Sequence, residues 1–270
     1  MVTALLGCHG SMPGGSGDAL PDATNPFASG WGAPAIVTLD RPTGMFATDA
    51  SFVEDQSRVT YAVTALGSSD YDIYEAPMLS STMGGTRKIV LARPGTVERS
   101  PEISPDGLAL YLLAFPGATG EIERMTRPSL MRPWDTPSAP AELNAGSENR
   151  PGNIERTRTH VVIARGPALV ELATDTSGTF VEQPTTSALP ASARDPQLTA
   201  DGLALVFTAS DGASSADIYV ATRPAIDMPW SEGARIDVSD PEMAESNPWL
   251  ATDGKRLYFS RGATVYMSQR

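Results

Sequence analysis

Histidine and cysteine, on which most nucleophilic and zinc chemistry depends, are almost absent from this chain. Its 270 residues include one cysteine, Cys8, and two histidines, His9 and His160. Cys8 and His9 precede the region expected to fold, so neither a zinc site nor a Ser-His-Asp or Cys-His nucleophile can be assembled. The sequence also has no G-x-S-x-G or Walker-type loop. We therefore expect no hydrolysis by these routes, and we predict no catalytic residue, no metal and no cofactor.

The carboxylates offer a second kind of chemistry, because glycoside hydrolysis needs two carboxyl groups that face each other. On the predicted inner strands only Glu102 is acidic. A carbohydrate-active enzyme would therefore borrow its pair from the segments that precede these strands, and it stays open as an alternative. The acidic residues of those segments are Asp49, Glu98, Glu148, Asp195 and Glu245.

The same segments bring arginines together, in a chain whose formal net charge is -12. Arginine can grip a carboxylate at two points, so an acidic peptide or glycan is the expected ligand. A solvated rim with weak surface salt bridges is the alternative. Trp249, on an inner strand, is a candidate stacking surface, or it fills the narrow axis. The predicted binding residues are Arg99, Arg150, Arg194, Asp195, Asp49, Glu245 and Trp249.

These residues are positioned by a cassette that recurs five times at a period of about 50 residues, which indicates an array of like units such as a propeller. Asp-Gly between two β-type segments predicts a tight hairpin, because both residues tolerate the positive φ of primed turns. The clearest copies are SPEISPDGLALYL (100–112), DPQLTADGLALVF (195–207) and NPWLATDGKRLYF (247–259). The repeats, numbered 1 to 5, start at Ala50, Pro101, Pro151, Pro196 and Pro248.

Each repeat predicts four short strands, and the second of them is apolar on both faces, as in a strand covered on both sides. The last repeat stops after its third strand. Its fourth is expected from Trp31–Leu39, because a propeller closes by pairing its two chain ends and so removes an exposed edge. We therefore predict an all-β fold, a five-bladed β-propeller of four-stranded antiparallel blades closed by the N-terminal strand. The predicted blades are residues 49–93, 100–144, 150–190, 195–239, and 247–270 with 30–40.

The cassette P-x-[IL]-[ST]-x-D-G-x-x-L-x-F, followed by D-I-Y and then by tryptophan and a short strand, resembles the TolB-like propeller repeat. The match is specific in repeats 2, 4 and 5 and partial in repeat 1, and in repeat 3 it keeps only Pro151 and the hydrophobic strand. The resemblance implies the repeat architecture and a bacterial cell-envelope setting. TolB looks like a six-bladed propeller, whereas this chain has five cassettes, so the role of TolB is not carried over.

We predict that residues 1–25 form a flexible tether with a lipid anchor and that residues 26–270 form the propeller. Leu5-Leu6-Gly7-Cys8 resembles a bacterial lipobox, and the residues that follow are rich in Gly, Ser and Pro. An idle cysteine in a disordered start is the alternative. Acylation of Cys8 would hold the protein at the cell envelope, facing the periplasm or the outside, and we expect a monomer. The acidic charge repels phosphate backbones, so nucleic acid is not an expected partner.

The sequence thus predicts a non-catalytic binding or scaffold protein that recognises an envelope protein or glycan at the mouth of the channel. The main alternative is a glycoside-hydrolase-like enzyme that uses carboxylates at the mouth, and a third is a propeller whose partner enzyme is encoded separately. A catalytic pair would be open to solvent and about 5–10 Å apart. A binding rim would have its carboxylates neutralised by arginine.

Overall fold

The computed structural model describes residues 25–117, 119–146, 149–152, 159–177, 179–183, 189–210, 215–240 and 242–270. All regular structure in these ranges is β, as predicted, and they contain no helix. In particular, none of the described residues form a helix of the length and apolarity that crossing a bilayer requires. Cys8, the rest of residues 1–24, and Glu148 lie outside the described residues.

Repeats 1 and 2 share one eight-stranded sheet, because strand β4 (Tyr71–Ser80) and strand β7 (Val97–Ile103) are joined by a parallel pair between Tyr71 and Val97. All other pairs in this sheet are antiparallel. Its strands are β2 (Met45–Phe52), β3 (Arg58–Ala65), β4 (Tyr71–Ser80), β5 (Met83–Gly84), β6 (Lys88–Leu91), β7 (Val97–Ile103), β8 (Ala109–Phe115) and β9 (Glu121–Thr126).

Repeats 3 and 4 each form a separate four-stranded antiparallel sheet, with the strands paired in chain order. The sheet of repeat 3 contains β10 (Asn149–Arg150), β11 (His160–Arg165), β12 (Ala168–Thr174) and β13 (Phe180–Glu182). The sheet of repeat 4 contains β14 (Arg194–Leu198), β15 (Ala204–Ala209), β16 (Asp217–Thr222) and β17 (Ala234–Arg235).

The sheet of repeat 5 takes its outer strand from the N-terminal part of the chain. Its order is β1-β20-β19-β18, and β1 pairs antiparallel with β20 through Ala35↔Met267 and Ile36↔Tyr266. The strand predicted over Trp31–Leu39 is therefore much shorter than expected. The bounds are β1 (Ala35–Ile36), β18 (Glu245–Leu250), β19 (Arg256–Arg261) and β20 (Thr264–Gln269).

The core lies between neighbouring sheets, and the second strand of each repeat fills it from both faces. In β15 every residue is buried, and in β8 only the last residue is not. Phe52 of repeat 1 packs against Tyr258 of repeat 5, with ring centroids 4.1 Å apart. Strands that are apolar on both faces thus bury side chains against a sheet on each side.

The Asp-Gly turns form where they were predicted, but the positive φ is confined to the glycine. Gly107, Gly202 and Gly254 have φ of 72°, 71° and 65°, whereas the aspartates before them do not have positive φ. The side chain of Asp106 instead caps the turn, since Oδ1 accepts a hydrogen bond from the Leu108 N–H at 3.0 Å. The turn therefore needs positive φ at one position rather than two, which excludes type I′, the primed turn with positive φ at both central residues.

Candidate binding site at the mouth of the inner strands

The inner strands begin earlier than predicted. The residues expected in connecting segments, including Glu98, Asp195 and Glu245, lie within β7, β14 and β18. Four inner strands contain a register shift at the same relative position, so each continues upstream through a bulge. The shifts lie between Thr48 and Ser51, Arg99 and Glu102, Arg194 and Gln197, and Ser246 and Trp249.

A residue with left-handed backbone geometry lies in each of these bulges. The four residues are Asp49, Ser100, Asp195 and Asn247, with φ of 54°, 49°, 48° and 48°. Positive φ is uncommon outside glycine, although Asp and Asn tolerate it better than most residues. Because a bulge bends the strand and redirects its side chains, these positions determine which groups reach the mouth, the end of the sheets at which the inner strands begin.

Hydrogen bonds connect the bulge residues of successive repeats. Asp195 Oδ2 accepts from the Asn247 N–H at 3.4 Å, and Asn247 Nδ2 donates to Asp49 Oδ1 at 2.6 Å. Asp49 Oδ2 accepts from the Ser100 N–H at 3.3 Å. The chain of contacts thus runs from repeat 4 through repeats 5 and 1 to repeat 2.

Asp49 is the more enclosed of the two bulge aspartates, with 7% of its surface exposed. Its Oδ1 also accepts a hydrogen bond from the Thr48 hydroxyl at 2.8 Å, and its N–H donates to Ser260 Oγ at 2.9 Å. Burial raises the pKa of the Asp49 carboxyl above its ordinary value, and the nearby negative charge of Asp195 acts in the same direction. The hydrogen bond from Thr48 and the charge of Arg99 oppose this rise.

A cavity of about 440 Å³ opens at the mouth and brings together five of the seven predicted binding residues. Repeat 1 contributes one wall through Phe46, residues 64–68 and Tyr71, and repeat 5 adds Ser246, Asn247 and residues 262–263. The predicted residues that line it are Asp49, Arg99, Arg150, Arg194 and Asp195.

The arginines at the cavity differ in how their charge is compensated. Arg194 Nε lies 3.9 Å from Asp195 Oδ2, at the limit of an ion pair, and 42% of the Arg194 side chain is exposed. Arg99 forms no ion pair with any described carboxylate. Its guanidinium lies over the ring of Phe115, 5.6 Å from the centroid. The charges of Arg99 and Arg194 are therefore only partly matched by direct contacts with described residues.

The other two predicted binding residues lie behind the cavity and do not line it. Glu245 is 1% exposed, and its Oε1 accepts hydrogen bonds from Arg261 Nε at 2.9 Å and from the Asp240 N–H at 3.0 Å. Trp249 is 2% exposed and packs against Phe52, with ring centroids 5.1 Å apart. Trp249 thus takes the filling role of the two considered, and no face of its indole is open for stacking.

Glu98 and Glu245 share one pattern, a buried carboxylate near the mouth held by an arginine. Glu98 is fully buried and accepts from Arg93 Nε at 2.6 Å. Burial raises the pKa of both glutamates above the ordinary value, against the influence of their arginines. These carboxylates are neutralised by arginine as expected of a binding rim, whereas that of Asp49 is held by Thr48, Ser100 and Asn247.

The opposite end of the sheets holds an arginine cluster that was not predicted. Arg127, just after β9, donates through both terminal nitrogens to Glu75 of repeat 1, each at 2.8 Å. Its Nε donates to the Gly107 carbonyl at 2.7 Å, and its guanidinium lies 4.1 Å from the ring centroid of Trp134. One buried arginine thus joins two repeats and an Asp-Gly turn.

Repeat 4 repeats this arrangement. Arg223 donates to Glu171 of repeat 3 at 3.0 and 2.8 Å and to the Gly202 carbonyl at 2.8 Å, and it lies 4.1 Å from the ring centroid of Trp230. The sequence carried the signal in the near-copies TRPSLMRPW (126–134) and TRPAIDMPW (222–230). In both copies tryptophan follows arginine by seven residues, and no role was predicted for the arginine.

The donor set at the mouth does not resemble a metal centre. Among the described residues there is no group of three or more His, Cys, Asp or Glu side chains placed to hold a metal ion. Asp49 and Asp195 face amide, hydroxyl and guanidinium groups. Groups of these kinds can form hydrogen bonds with polar or anionic ligands.

Comparison with solved structures identifies the fold. An endo-arabinanase of the GH43 type from Bacillus licheniformis matches 85% of this chain and 94% of its own length, with a TM-score of 0.56 and 13% identity. A protein assigned as TolB from Agrobacterium tumefaciens matches 81% of this chain and 71% of its own, with a TM-score of 0.51 and 13% identity. The fold is a β-propeller. Identities this low extend the likeness to the fold alone.

The other comparisons limit what the likeness means. The chain spans 54% of the length of TolB from Acinetobacter baumannii, which it matches with a TM-score of 0.48 and 16% identity. No protein-family model matches the chain, and no curated protein matches it by sequence. Both TolB proteins and glycoside hydrolases resemble this propeller, so the fold does not distinguish their functions and the function has to be inferred from the site.

Proposed function

We propose that this protein is a non-catalytic binding module of the bacterial cell envelope, which recognises a protein or glycan at the mouth of its propeller. The proposed architecture is five blades closed by the N-terminal strand, tethered to a membrane through Cys8 and acting as a monomer. Four strands were predicted for every blade, but the described part of repeat 2 has three, with a single bridge between Arg124 and Ser138 in place of the fourth. The observation that carries the binding function is the cavity at the mouth, where Arg99, Arg150 and Arg194 gather in an acidic chain.

The contacts between repeats support five blades and closure. Inner strand β2 contacts β7 on one side and β18 on the other, and β18 in turn contacts β14. Strand β14 contacts β11 of repeat 3, and β10 contacts β8 and β9 of repeat 2. These contacts complete a circuit through all five repeats, and the pairing of β1 with β20 joins the two ends of the described chain.

Binding is favoured over hydrolysis because the carboxylates at the mouth are already engaged. Both oxygens of Asp49 accept hydrogen bonds from the protein, and the side chain of Asp195 is 8% exposed. Glu102 does not line the cavity, and its Oε2 accepts from the Ser51 hydroxyl at 3.0 Å. A glycosidase pair needs two accessible carboxyl groups, one of them a proton donor to the leaving group.

The test is retention of bacterial envelope fractions, separated into proteins and glycans, on the immobilised full chain. Arg99→Gln, Arg150→Gln and Arg194→Gln are combined in one variant. The control combines Lys88→Gln, Arg132→Gln and Lys255→Gln, which removes the same charge from exposed side chains outside the cavity. A component that is retained by the parent and the control but lost by the mouth variant supports the proposal. Equal retention by all three proteins contradicts it.

The enzyme alternative has one observation in its favour. The raised pKa of Asp49 beside Asp195 is what a general acid paired with a second carboxylate requires. We expect no release of reducing ends when the parent is incubated with arabinan or envelope glycans. Release that disappears in both Asp49→Asn and Asp195→Asn would establish the enzyme and overturn the binding proposal.

The envelope location is tested through Cys8. We expect the parent, produced in a bacterial host from its natural start, to sediment with membranes and the Cys8→Ser variant to be soluble. Membrane association of both proteins to the same extent would contradict the anchor without touching the proposal for the mouth.

A further inference from the structure

We propose that the ligand of the mouth is a glycan with a uronic acid residue, whose carboxylate binds at Arg99 and whose ring lies on the wall formed by Phe46 and Tyr71. This inference rests on the proposed function, because it names the chemical class of the ligand at the same cavity. It commits to a glycan rather than a peptide.

The position of Arg99 argues for an anionic group. Arg93, Arg127 and Arg261 each bond directly to a carboxylate of the protein. Arg99 lines the cavity without such a partner among the described residues, and its buried Nε has no hydrogen-bond partner there either. In a chain with net charge -12, this cation has no direct counter-ion among the described residues at the place where a ligand would enter. A carboxylate satisfies an arginine at two points.

The neighbouring aspartates limit the charge of that group. Asp49 lies within electrostatic reach of both Arg99 and Asp195, so a doubly charged phosphate would meet two negative charges at once. A single carboxylate meets less repulsion.

The cavity wall favours a sugar over a peptide side chain. Phe46 and Tyr71 are both partly exposed at the cavity, and aromatic rings pack against the apolar faces of sugar rings. Thr64, Ser68 and Ser246 supply hydroxyls beside them. The one large aliphatic side chain of the lining, Leu66, is 82% exposed and cannot enclose an apolar side chain.

The size of the cavity fits a short saccharide unit. A volume of about 440 Å³ falls within the range of small-molecule sites, roughly 300–1,000 Å³. Protein partners usually need a much larger contact area. The ligand is therefore expected to enter as one or two sugar units at the end or edge of a longer chain.

The experiment is isothermal titration calorimetry of the full chain with trisaccharides of galacturonic and glucuronic acid. The methyl esters of these trisaccharides, neutral galactose and glucose trisaccharides and a triglutamate peptide serve as comparison probes. We expect an acidic trisaccharide to bind, and its methyl ester to bind about 10- to 100-fold more weakly, as loss of a charge-assisted contact predicts. Arg99→Gln should weaken the acidic trisaccharide by the same range. Arg132→Gln, an exposed arginine outside the cavity, should leave its binding unchanged.

Arg99→Lys refines the test, because lysine keeps the charge but not the two-point geometry, and it should retain an intermediate affinity. Equal binding of acid and ester, or parent-like binding by Arg99→Gln, would overturn the inference. Binding of the peptide without either acidic trisaccharide would overturn the glycan class. If no acidic trisaccharide binds but envelope components are still retained through the mouth, the inference fails and the proposed function stands. If retention also fails, both fall.

Discussion

At the Asp-Gly end of the sheets Arg127 is bonded to a carboxylate and a carbonyl and lies on an indole. At the mouth the guanidinium of Arg99 lies over the ring of Phe115 and forms no ion pair with a described carboxylate. Both arginines come from repeat 2. The first joins two repeats through its ion pair with Glu75. The second leaves its charge directed to a cavity. The two arginines thus differ in their partners, because Arg127 is bonded within the fold whereas Arg99 lines a cavity without an ion pair to a described carboxylate.

The backbone differs between the two ends in the same sense. At the Asp-Gly end positive φ falls on Gly107, Gly202 and Gly254, where the conformation has little steric penalty, and among the described residues on a non-glycine only in repeat 1, at Gln56. At the mouth it falls on Asp49, Ser100, Asp195 and Asn247, where the side chain makes it unfavourable. Strained residues of this kind concentrate at binding and active sites. Three of the four use the side chain to connect repeats, which explains why glycine does not replace them.

The largest expected effect comes from Arg127→Met. Removal of the guanidinium leaves Glu75 buried without its two-point partner, and breaking such a pair typically destabilises by about 3–5 kcal/mol. We expect the lower end, about 3 kcal/mol, because Arg58 still lies 3.3 Å from Glu75. The measurement is the free energy of unfolding in urea. The double variant Arg127→Met/Glu75→Leu should recover part of the loss, and a loss below about 0.5 kcal/mol, the size of an ordinary surface change, would mean that this cluster does not secure the repeats.

A pH-dependent effect of opposite sign at the two ends comes next. Burial raises the pKa of Asp49 in the folded protein, so the parent loses stability as the pH rises from 3.8, the ordinary value, through the folded value. Asp49→Asn has no such loss, and the variant should gain relative to the parent as the pH rises.

Asp253 of the last Asp-Gly turn is the matched control. The Lys255 N–H lowers the pKa of the Asp253 carboxyl, so the parent gains stability as the pH rises through the folded value toward 3.8. Asp253→Asn should therefore become less stable relative to the parent over that pH interval. Unfolding in urea at a series of pH values measures both differences, and slopes of the same sign would remove this distinction between mouth and turn.

The smallest effect on stability is expected from Arg99→Gln, because the side chain forms no ion pair with a described residue. A change within about 0.5 kcal/mol, as for an ordinary surface position, is expected in the same urea experiment. Arg99→Gln is thus the counterpart of Arg127→Met. A loss of about 3 kcal/mol would make Arg99 a second structural arginine and would remove the reason to assign it to a ligand.

Much of the architecture could be predicted from local patterns. The Asp-Gly turns and the apolar second strands are present as expected, because turn chemistry and two-sided burial depend on neighbouring residues. The fourth strands were predicted as long segments after tryptophan, but in repeat 4 only Ala234–Arg235 pairs with β16. Pairing at an outer edge depends on how far the third strand lies open, which composition does not reveal.

The candidate site was predicted in part. Five of the seven binding residues share one cavity, because they occupy equivalent positions in the repeats and equivalent positions meet at the same end of the sheets. Glu245 and Trp249 were placed in the same way but lie behind the cavity wall, bonded to Arg261 and packed on Phe52. The direction of a side chain near a bulge depends on the backbone conformation of the bulge residue. The repeat pattern in the sequence does not specify that conformation.

The sequence by itself determined the all-β class, the repeating unit and the group of arginines in an acidic chain, because all of these follow from composition and periodicity along the chain. Only the tertiary structure decided which arginines are neutralised, which carboxylates are buried and where the bulges turn the strands. These properties depend on contacts between residues that are far apart in the sequence. Glu75 and Arg127 are separated by 52 positions, and Asp49 and Asn247 by 198. Such contacts form only when the sheets pack around their common axis, so the local sequence does not determine them.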